Sequence, residues 1–180
     1  MEIVKYGKPV LRAKGARIET ITEEIRQLAD AMIATMHEAN GVGLAAQQVG
    51  YALQLAVIDV SGVDDRPSVM RIDGKEVDVD EWMPMALVNP VLELGKAKEP
   101  GQEGCLSFPD ISADIQRSLT LKATGRLIDG REIAFEAEGF LARALQHEVD
   151  HLNGILFIDR MSSAARVGNA GRLKRLQKWG

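Results

Sequence analysis

Apolar positions in the N-terminal quarter recur at helical spacing. In TITEEIRQLADAMIATMHEANG, residues 20–41, Ile25, Leu28, Met32 and Met36 form one stripe, Thr20 with Glu23 suggests a capping box, and Asn40-Gly41 supplies the stop. The period then disappears through the small residues of GVGLAAQQVG, 41–50. It is replaced by the β-branched, apolar run LQLAVIDV, 53–60, which suits a mostly buried strand. Residues 61–84 are rich in Asp, Gly and Pro, and RIDGKEVDVD predicts a polar hairpin around Asp73-Gly74. The segment reads as an excursion rather than a second domain. Strands resume at ALVNPVLEL, 86–94. In SLTLKATGRLIDGREIAFEAEG, 118–139, Asp129-Gly130 separates two alternating runs as a hairpin turn would. Helical spacing returns from Phe140 to Asn153-Gly154, and GNAGRLKRLQKWG, 168–180, predicts a short closing helix. Strands grouped between terminal helices indicate an α+β fold, with antiparallel or mixed sheets packed around the helix that carries HEVDH. There is no internal repeat.

Composition narrows the class. A chain of 180 residues with 46% hydrophobic content suits one domain, 1–180, with a single buried core. The formal charge of −4 lacks the basic excess of a nucleic-acid binder, so no DNA partner is expected. No stretch has the apolar length to cross a bilayer, so no membrane partner is expected either. The N-terminal residues show neither a signal core nor a transit pattern, and the single cysteine, Cys105, cannot form an internal disulfide. Both favour a cytoplasmic location.

Candidate chemistry concentrates in QHEVDHLNG, 146–154. Leu141, Leu145, Glu148 and Leu152 share one helix face, and Phe140, Ala144, His147 and His151 share the neighbouring stripe. Arg143, Gln146, Asp150 and Asn153 fall opposite and read as solvated. Glu148 therefore interrupts an apolar face, and two histidines one turn apart lie toward the core. Buried polar groups need partners, and His147 with His151 could converge on one metal while Glu148 acts on its water. A hydrogen-bonded pair of histidines in an ordinary helix is the alternative. A catalytic site of this kind needs a third protein ligand, yet Asp159 is the only acidic residue after His151, and no His or Cys follows. Upstream candidates are carboxylates, His37 and Cys105. His37, near the end of another helix, reads as a surface histidine. Cys105 stands out because EGCLSFPD, 103–110, holds the only thiol in a short punctuated loop, although a free cysteine is often just a small buried hydrophobe.

Three stretches taken together go further. GVGLAAQQ (41–48), EGCLS (103–107) and HEVDH (147–151) occur in the order and wording of the three signature motifs of peptide deformylases, and the chain closely resembles that family over most of its length. The resemblance implies a hydrolase that removes the formyl group from N-formyl-methionyl nascent peptides and releases formate. Cys105, His147 and His151 would hold a divalent metal, Fe(II) in most members, with zinc, nickel or cobalt as substitutes. Glu148 would move the proton, and the Gln48 amide and Leu106 N–H would stabilise the oxyanion. Val42, Gly43, Glu103, Gly104, Phe140 and Ala144 would contact substrate, and Glu103 and Arg117 could also orient the site. Three departures, Gln47 where proline is frequent, Ser112 where some members have arginine, and a longer 61–84 excursion, are expected at substrate contacts or the surface. An endopeptidase or a protein with a purely structural metal are the competing readings, the second opposed by Glu148, which a closed structural site does not require. From Arg160 to Gly180 there are six basic residues, Arg160, Arg166, Arg172, Lys174, Arg175 and Lys178, and no acidic one, and the segment is expected to make transient ribosome contact.

Overall fold

The computed structural model describes residues 1–179. Among them the α+β class is observed, with helix α1 (Glu23–Glu38), helix α2 (Phe140–Leu152) and helix α3 (Ser163–Trp179). Nine strands accompany them: β1 (Gly43–Ala45), β2 (Leu55–Ile58), β3 (Ser68–Ile72), β4 (Lys75–Val77), β5 (Met85–Leu94), β6 (Lys98–Cys105), β7 (Phe108–Ser118), β8 (Thr120–Leu127) and β9 (Glu132–Gly139). Seven of them form one antiparallel sheet in the order β1-β2-β5-β8-β9-β3-β4, while β6 and β7 form a separate hairpin.

The large sheet is covered on two sides, and alternation along β2 and β5 shows how. Leu55, Val57, Ala86 and Val88 join Met32 and Met36 of α1 in one cluster, whereas Ile58, Met85 and Leu87 join Leu141 and Leu145 of α2 in another. Successive side chains of a strand point to opposite faces, so two covered faces turn both into the continuous apolar runs seen in the sequence. Met32 and Met36 are fully buried, each worth roughly 1.5–3 kcal/mol relative to exposure. A third cluster, built from Leu11, Phe108, Phe157 and Leu173, lies where β7 meets α3.

Several sequence expectations are corrected. The α1 cap is Thr22, whose side chain accepts from the Ile25 amide, not Thr20. Ile21, just before that cap, is buried in the α1 cluster. The closing helix starts at Ser163, five residues before the predicted segment, and buries only Asn169 and Leu173. The β6–β7 hairpin was not foreseen, because its glycines, prolines and charges resemble a loop. It changes the environment of α2. Arg143, Gln146 and Asp150, predicted to be solvated, are buried, and only Asn153 of that set is exposed. Eleven of the thirteen α2 residues are buried, because the hairpin closes over the side that faces away from the large sheet. Gln47 is also fully buried, its amide donating to the Ala13 and Leu152 carbonyls. It ties the N-terminal segment to the end of α2 rather than facing substrate or solvent.

The excursion has a definite place. Asp73-Gly74 makes the predicted turn with both residues at positive φ, and β3 adds to the sheet beside β9. Its leading edge also caps α2: the Pro67 carbonyl accepts from the Phe140 amide, and Ser68 Oγ accepts from the Leu141 amide at 2.9 Å. The preceding residue, Gly139, has no side chain to do this and sits at φ 71°, where a Cβ would run into the Pro67 carbonyl. Ser68→Ala should therefore destabilise the protein by about 1 kcal/mol, the worth of a helix cap. Gly139→Ala should cost more, because backbone must move. Urea midpoints of the two variants check this order, and equal losses would count against the steric role of Gly139.

Candidate active site

The β6–β7 hairpin and α2 bring together residues that lie more than forty positions apart. Cys105 is the last residue of β6, where the pairing with β7 shifts register, an irregularity of the kind that re-aims a side chain. Its Sγ lies 3.4 Å from His151 Nε2, and the ligand atoms of Cys105, His147 and His151 all fall within 4.8 Å of one another. His37 is elsewhere: its Nε2 pairs with Asp59 at 2.7 Å, near the surface.

Glu103, two residues before the thiol, organises the histidine side of this cluster. Its carboxylate accepts from His147 Nδ1 at 2.8 Å, from Arg117 of β7 through two nitrogens at 2.9 Å, and from Arg143 of α2 at 2.8 Å. Burial alone would raise its pKa, but hydrogen bonds from Arg117 and His147 outweigh this and hold it at about 2. Arg117 continues to Asp150 at 2.6 Å, and Asp150 also accepts from Arg160. With Nδ1 occupied, His147 keeps Nε2 free for a metal, the usual consequence of a carboxylate behind a ligating imidazole.

Glu148 is buried, and burial pushes its pKa up to about 7. One of its oxygens, Oε1, has no protein partner, and neither does the buried His151 Nδ1. Gly43 lies directly against the Glu148 carboxylate, where any Cβ would collide with it. Gln48 is held from behind: its Oε1 accepts from the Ala45 amide, while Nε2 points to Ser107 Oγ at 3.2 Å and to Cys105 Sγ at 3.5 Å. A soft thiolate with two imidazoles, beside a carboxylate with an unpartnered oxygen, is a donor set suited to a divalent transition metal and a water to be activated.

A cleft of about 630 Å³ opens onto these groups, lined by Val42, Gly43, Gly104, Leu106, Phe140 and Ala144 together with His147 and Glu148. Similarity to known proteins matches this geometry. The family model described as polypeptide deformylase matches residues 1–167. The chain belongs to the peptide deformylase family. A peptide deformylase of Methylacidiphilum infernorum is 44% identical over 178 residues, covering 99% of this chain and 93% of the relative, and one of Opitutus terrae is 41% identical over 180. The crystal structure of Arabidopsis thaliana peptide deformylase 1B in complex with an inhibitor superposes with a TM-score of 0.83 at 38% identity, covering 99% of this chain and 91% of that one. The Thermotoga maritima peptide deformylase gives 0.75 at 37% identity, covering 89% and 97%. The chain is thus a metal-dependent hydrolase that removes the N-formyl group from newly made peptides.

For a deformylase of this sequence, three contributors escaped the linear reading. Arg143 and Asp150 looked solvated because helical periodicity registers one buried face and cannot register a second layer. Arg66 came from the polar excursion: its guanidinium lies 4.4 Å over the Phe140 ring and donates to the Gln102 carbonyl, so it covers one end of the cleft. No motif announces it. Ser112 also lines the cleft.

The Glu103 node has a signed pH dependence. A carboxylate with a depressed pKa contributes stability that is fully present above its ordinary value of 4.5 and is lost as pH falls toward about 2. In chelator-treated protein, urea unfolding should show wild type losing about 3 kcal/mol over that window relative to Glu103→Gln. Parallel acid profiles of the two proteins would remove Glu103 from this role. At neutral pH, Glu103→Ala should cost about 3–5 kcal/mol, because two arginines are left buried without their carboxylate.

Proposed function

We propose that this single catalytic domain carries out deformylation with Cys105, His147 and His151 as the metal ligands and Glu148 as the proton-transfer group. The observation that carries the assignment is the convergence of those three donor atoms within 4.8 Å beside a buried carboxylate oxygen that lacks a partner. The ion we assign is Fe(II), after the family resemblance, with zinc, nickel or cobalt as substitutes. When bound, it would lower the pKa of water toward ~7 and polarise the formyl oxygen.

The remaining steps belong to the chain's own side chains. Glu148, with a pKa of about 7, is matched to taking a proton from the attacking water and returning it to the leaving amine at neutral pH. The Gln48 amide and the Leu106 N–H are assigned to the developing oxyanion, each worth roughly 3 kcal/mol of barrier. Gln48 is supported in this by its fixed orientation, with Oε1 held by Ala45 so that its donor end faces Cys105. Val42, Phe140 and Ala144 would wall the methionine side chain, and Gly43 and Gly104 would let the peptide backbone approach. Glu103 lines the cleft, but its carboxylate is engaged by Arg117, Arg143 and His147, so orientation of His147 is the role its contacts support best. The products are formate and a free N-terminal amine.

Nascent formylated chains place the enzyme's work in the cytoplasm, at or near the ribosome. Of the basic C-terminal residues, Arg160 is tied to Asp150 and Arg166 approaches Asp159 at 3.9 Å. Arg172, Lys174, Arg175 and Lys178 have no ion-pair partner among the described residues, which supports a transient contact with ribosomal RNA through α3. Among the described residues no helix is long and apolar enough to cross a membrane.

Metal analysis of anaerobically purified protein, paired with a formate assay, tests the centre. Iron should co-purify in stoichiometric amount. Cys105→Ser should retain far less metal while His37→Ala retains it, and Glu148→Gln should keep metal and fold yet lose most turnover. Tight, stoichiometric metal in the serine variant, or near-normal formate release by the glutamine variant, would overturn the respective assignment. Charge reversal of the exposed Arg172, Lys174, Arg175 and Lys178 to Glu should abolish salt-sensitive co-sedimentation with ribosomes and leave activity on a short formyl-methionyl peptide intact; unchanged co-sedimentation would dispose of the α3 contact alone.

A further inference from the structure

The face of α2 that carries Gln146, Asp150 and Asn153, rather than the histidines, borders a second cleft of about 580 Å³. Its other walls are the bulged part of β5, the end of β7 and the extended segment around Lys14 to Arg17. Five cations line it, Lys14, Arg17, Lys98, Arg117 and Arg160, against one carboxylate, Asp150. The lining therefore carries a formal +4 in a chain whose total is −4.

Internal pairing absorbs only part of this charge. Arg117 is shared between Glu103 and Asp150, Arg160 also uses Asp150, and Arg17 reaches Glu19 at 3.5 Å on the surface. Lys14 and Lys98 have no ion-pair partner among the described residues. Like charges gathered in a concave site focus the potential and favour an anion there. The same lining holds Val91 and Leu94, two large hydrophobic residues that are 63% and 52% exposed. Ser118, also in the lining, has a buried hydroxyl without a hydrogen-bond partner. There is no aromatic ring in the lining on which a base could stack, which disfavours a nucleic acid strand. A pocket whose lining combines exposed aliphatic side chains and an excess of cations suits a ligand with both characters.

We propose that this cleft is a second ligand site, separate from the deformylation centre, that binds a small amphipathic anion. A carboxylate or phosphate head would sit between Lys14 and Lys98, and a short aliphatic body would lie against Val91 and Leu94. The inference does not depend on how the catalytic residues are assigned.

Isothermal titration calorimetry on the metal-loaded, full-length protein at constant ionic strength tests it, with hexanoate and hexyl phosphate as probes and hexanol and inorganic phosphate as controls. At least one probe should bind saturably and more tightly than both controls, and the tighter of the two identifies the head group. In Lys14→Glu/Lys98→Glu that binding should weaken at least about tenfold, while turnover of a short formyl-methionyl peptide stays unchanged, since both side chains are exposed and outside the catalytic cleft. Absence of saturable binding by either probe up to about 10 mM would overturn the proposal. So would a control that binds as tightly as the probes, or probe binding that survives the double charge reversal unchanged, which would locate it at the metal instead.

Discussion

The buried carboxylate of Glu103 joins the two parts of the molecule that must meet for the donor atoms of Cys105, His147 and His151 to converge. It lies on β6, two residues from the thiol, and it accepts hydrogen bonds from Arg117 on β7, Arg143 on α2 and His147 itself. One charge thus locks the hairpin closed, docks it on the helix and orients an imidazole. Three donors around one acceptor offset the desolvation that would otherwise drive the carboxylate to protonate, and the depressed pKa expresses that surplus. Arg117 and Arg160 extend the same alternation of sign through Asp150 toward the surface. Remove the carboxylate, and two largely buried guanidinium groups lose a shared partner, with only Arg117 keeping another carboxylate, Asp150.

This arrangement explains how a helix rich in polar residues can be almost wholly buried. Leu141 and Leu145 meet the large sheet as any amphipathic helix would. The opposite side meets the hairpin, and there each polar group finds a specific partner: Gln146 exchanges hydrogen bonds with the backbone of Ser118, and Arg143 reaches the carbonyls of Glu99 and Ile115 besides Glu103. Four buried side-chain atoms lack a partner among the described residues, Gln47 Oε1, Ser118 Oγ, Glu148 Oε1 and His151 Nδ1, and the last two lie together on α2. Buried polar atoms are rarely left alone, and Glu148 Oε1 and His151 Nδ1 belong to the residues of the donor cluster and its neighbouring carboxylate.

The excursion between β2 and β5 serves the same helix from its other end. Its hairpin extends the sheet, its Pro67 and Ser68 supply acceptors to the first amides of α2, and Arg66 covers Phe140 at the mouth of the cleft. A segment that looks like surface decoration in composition is therefore part of what holds the catalytic helix at its starting point. The rear cleft is the counterpart of this on the far side, where packing leaves cations and aliphatic side chains open to solvent without neutralising them.

Local rules were enough to read a good share of this. Alternation and turn chemistry located the hairpins at Asp73-Gly74 and Asp129-Gly130, and helical spacing located α1 and α2, because each signal is carried by residues close together in the chain; H-E-x-x-H and the lone thiol named three side chains whose ligand atoms the fold brings within 4.8 Å. What they could not supply was the second layer over α2. The β6–β7 hairpin is held by pairing between strands, by Glu103 with its two arginines and by the apolar contacts of Phe108 and Ile115, none of which leaves a period in the sequence. Arg143, Asp150 and Gln47 were consequently assigned to solvent or substrate. Whether a polar side chain is buried depends on what comes to lie over it, and that is decided by contacts between residues tens of positions apart, where no short-range pattern records the choice.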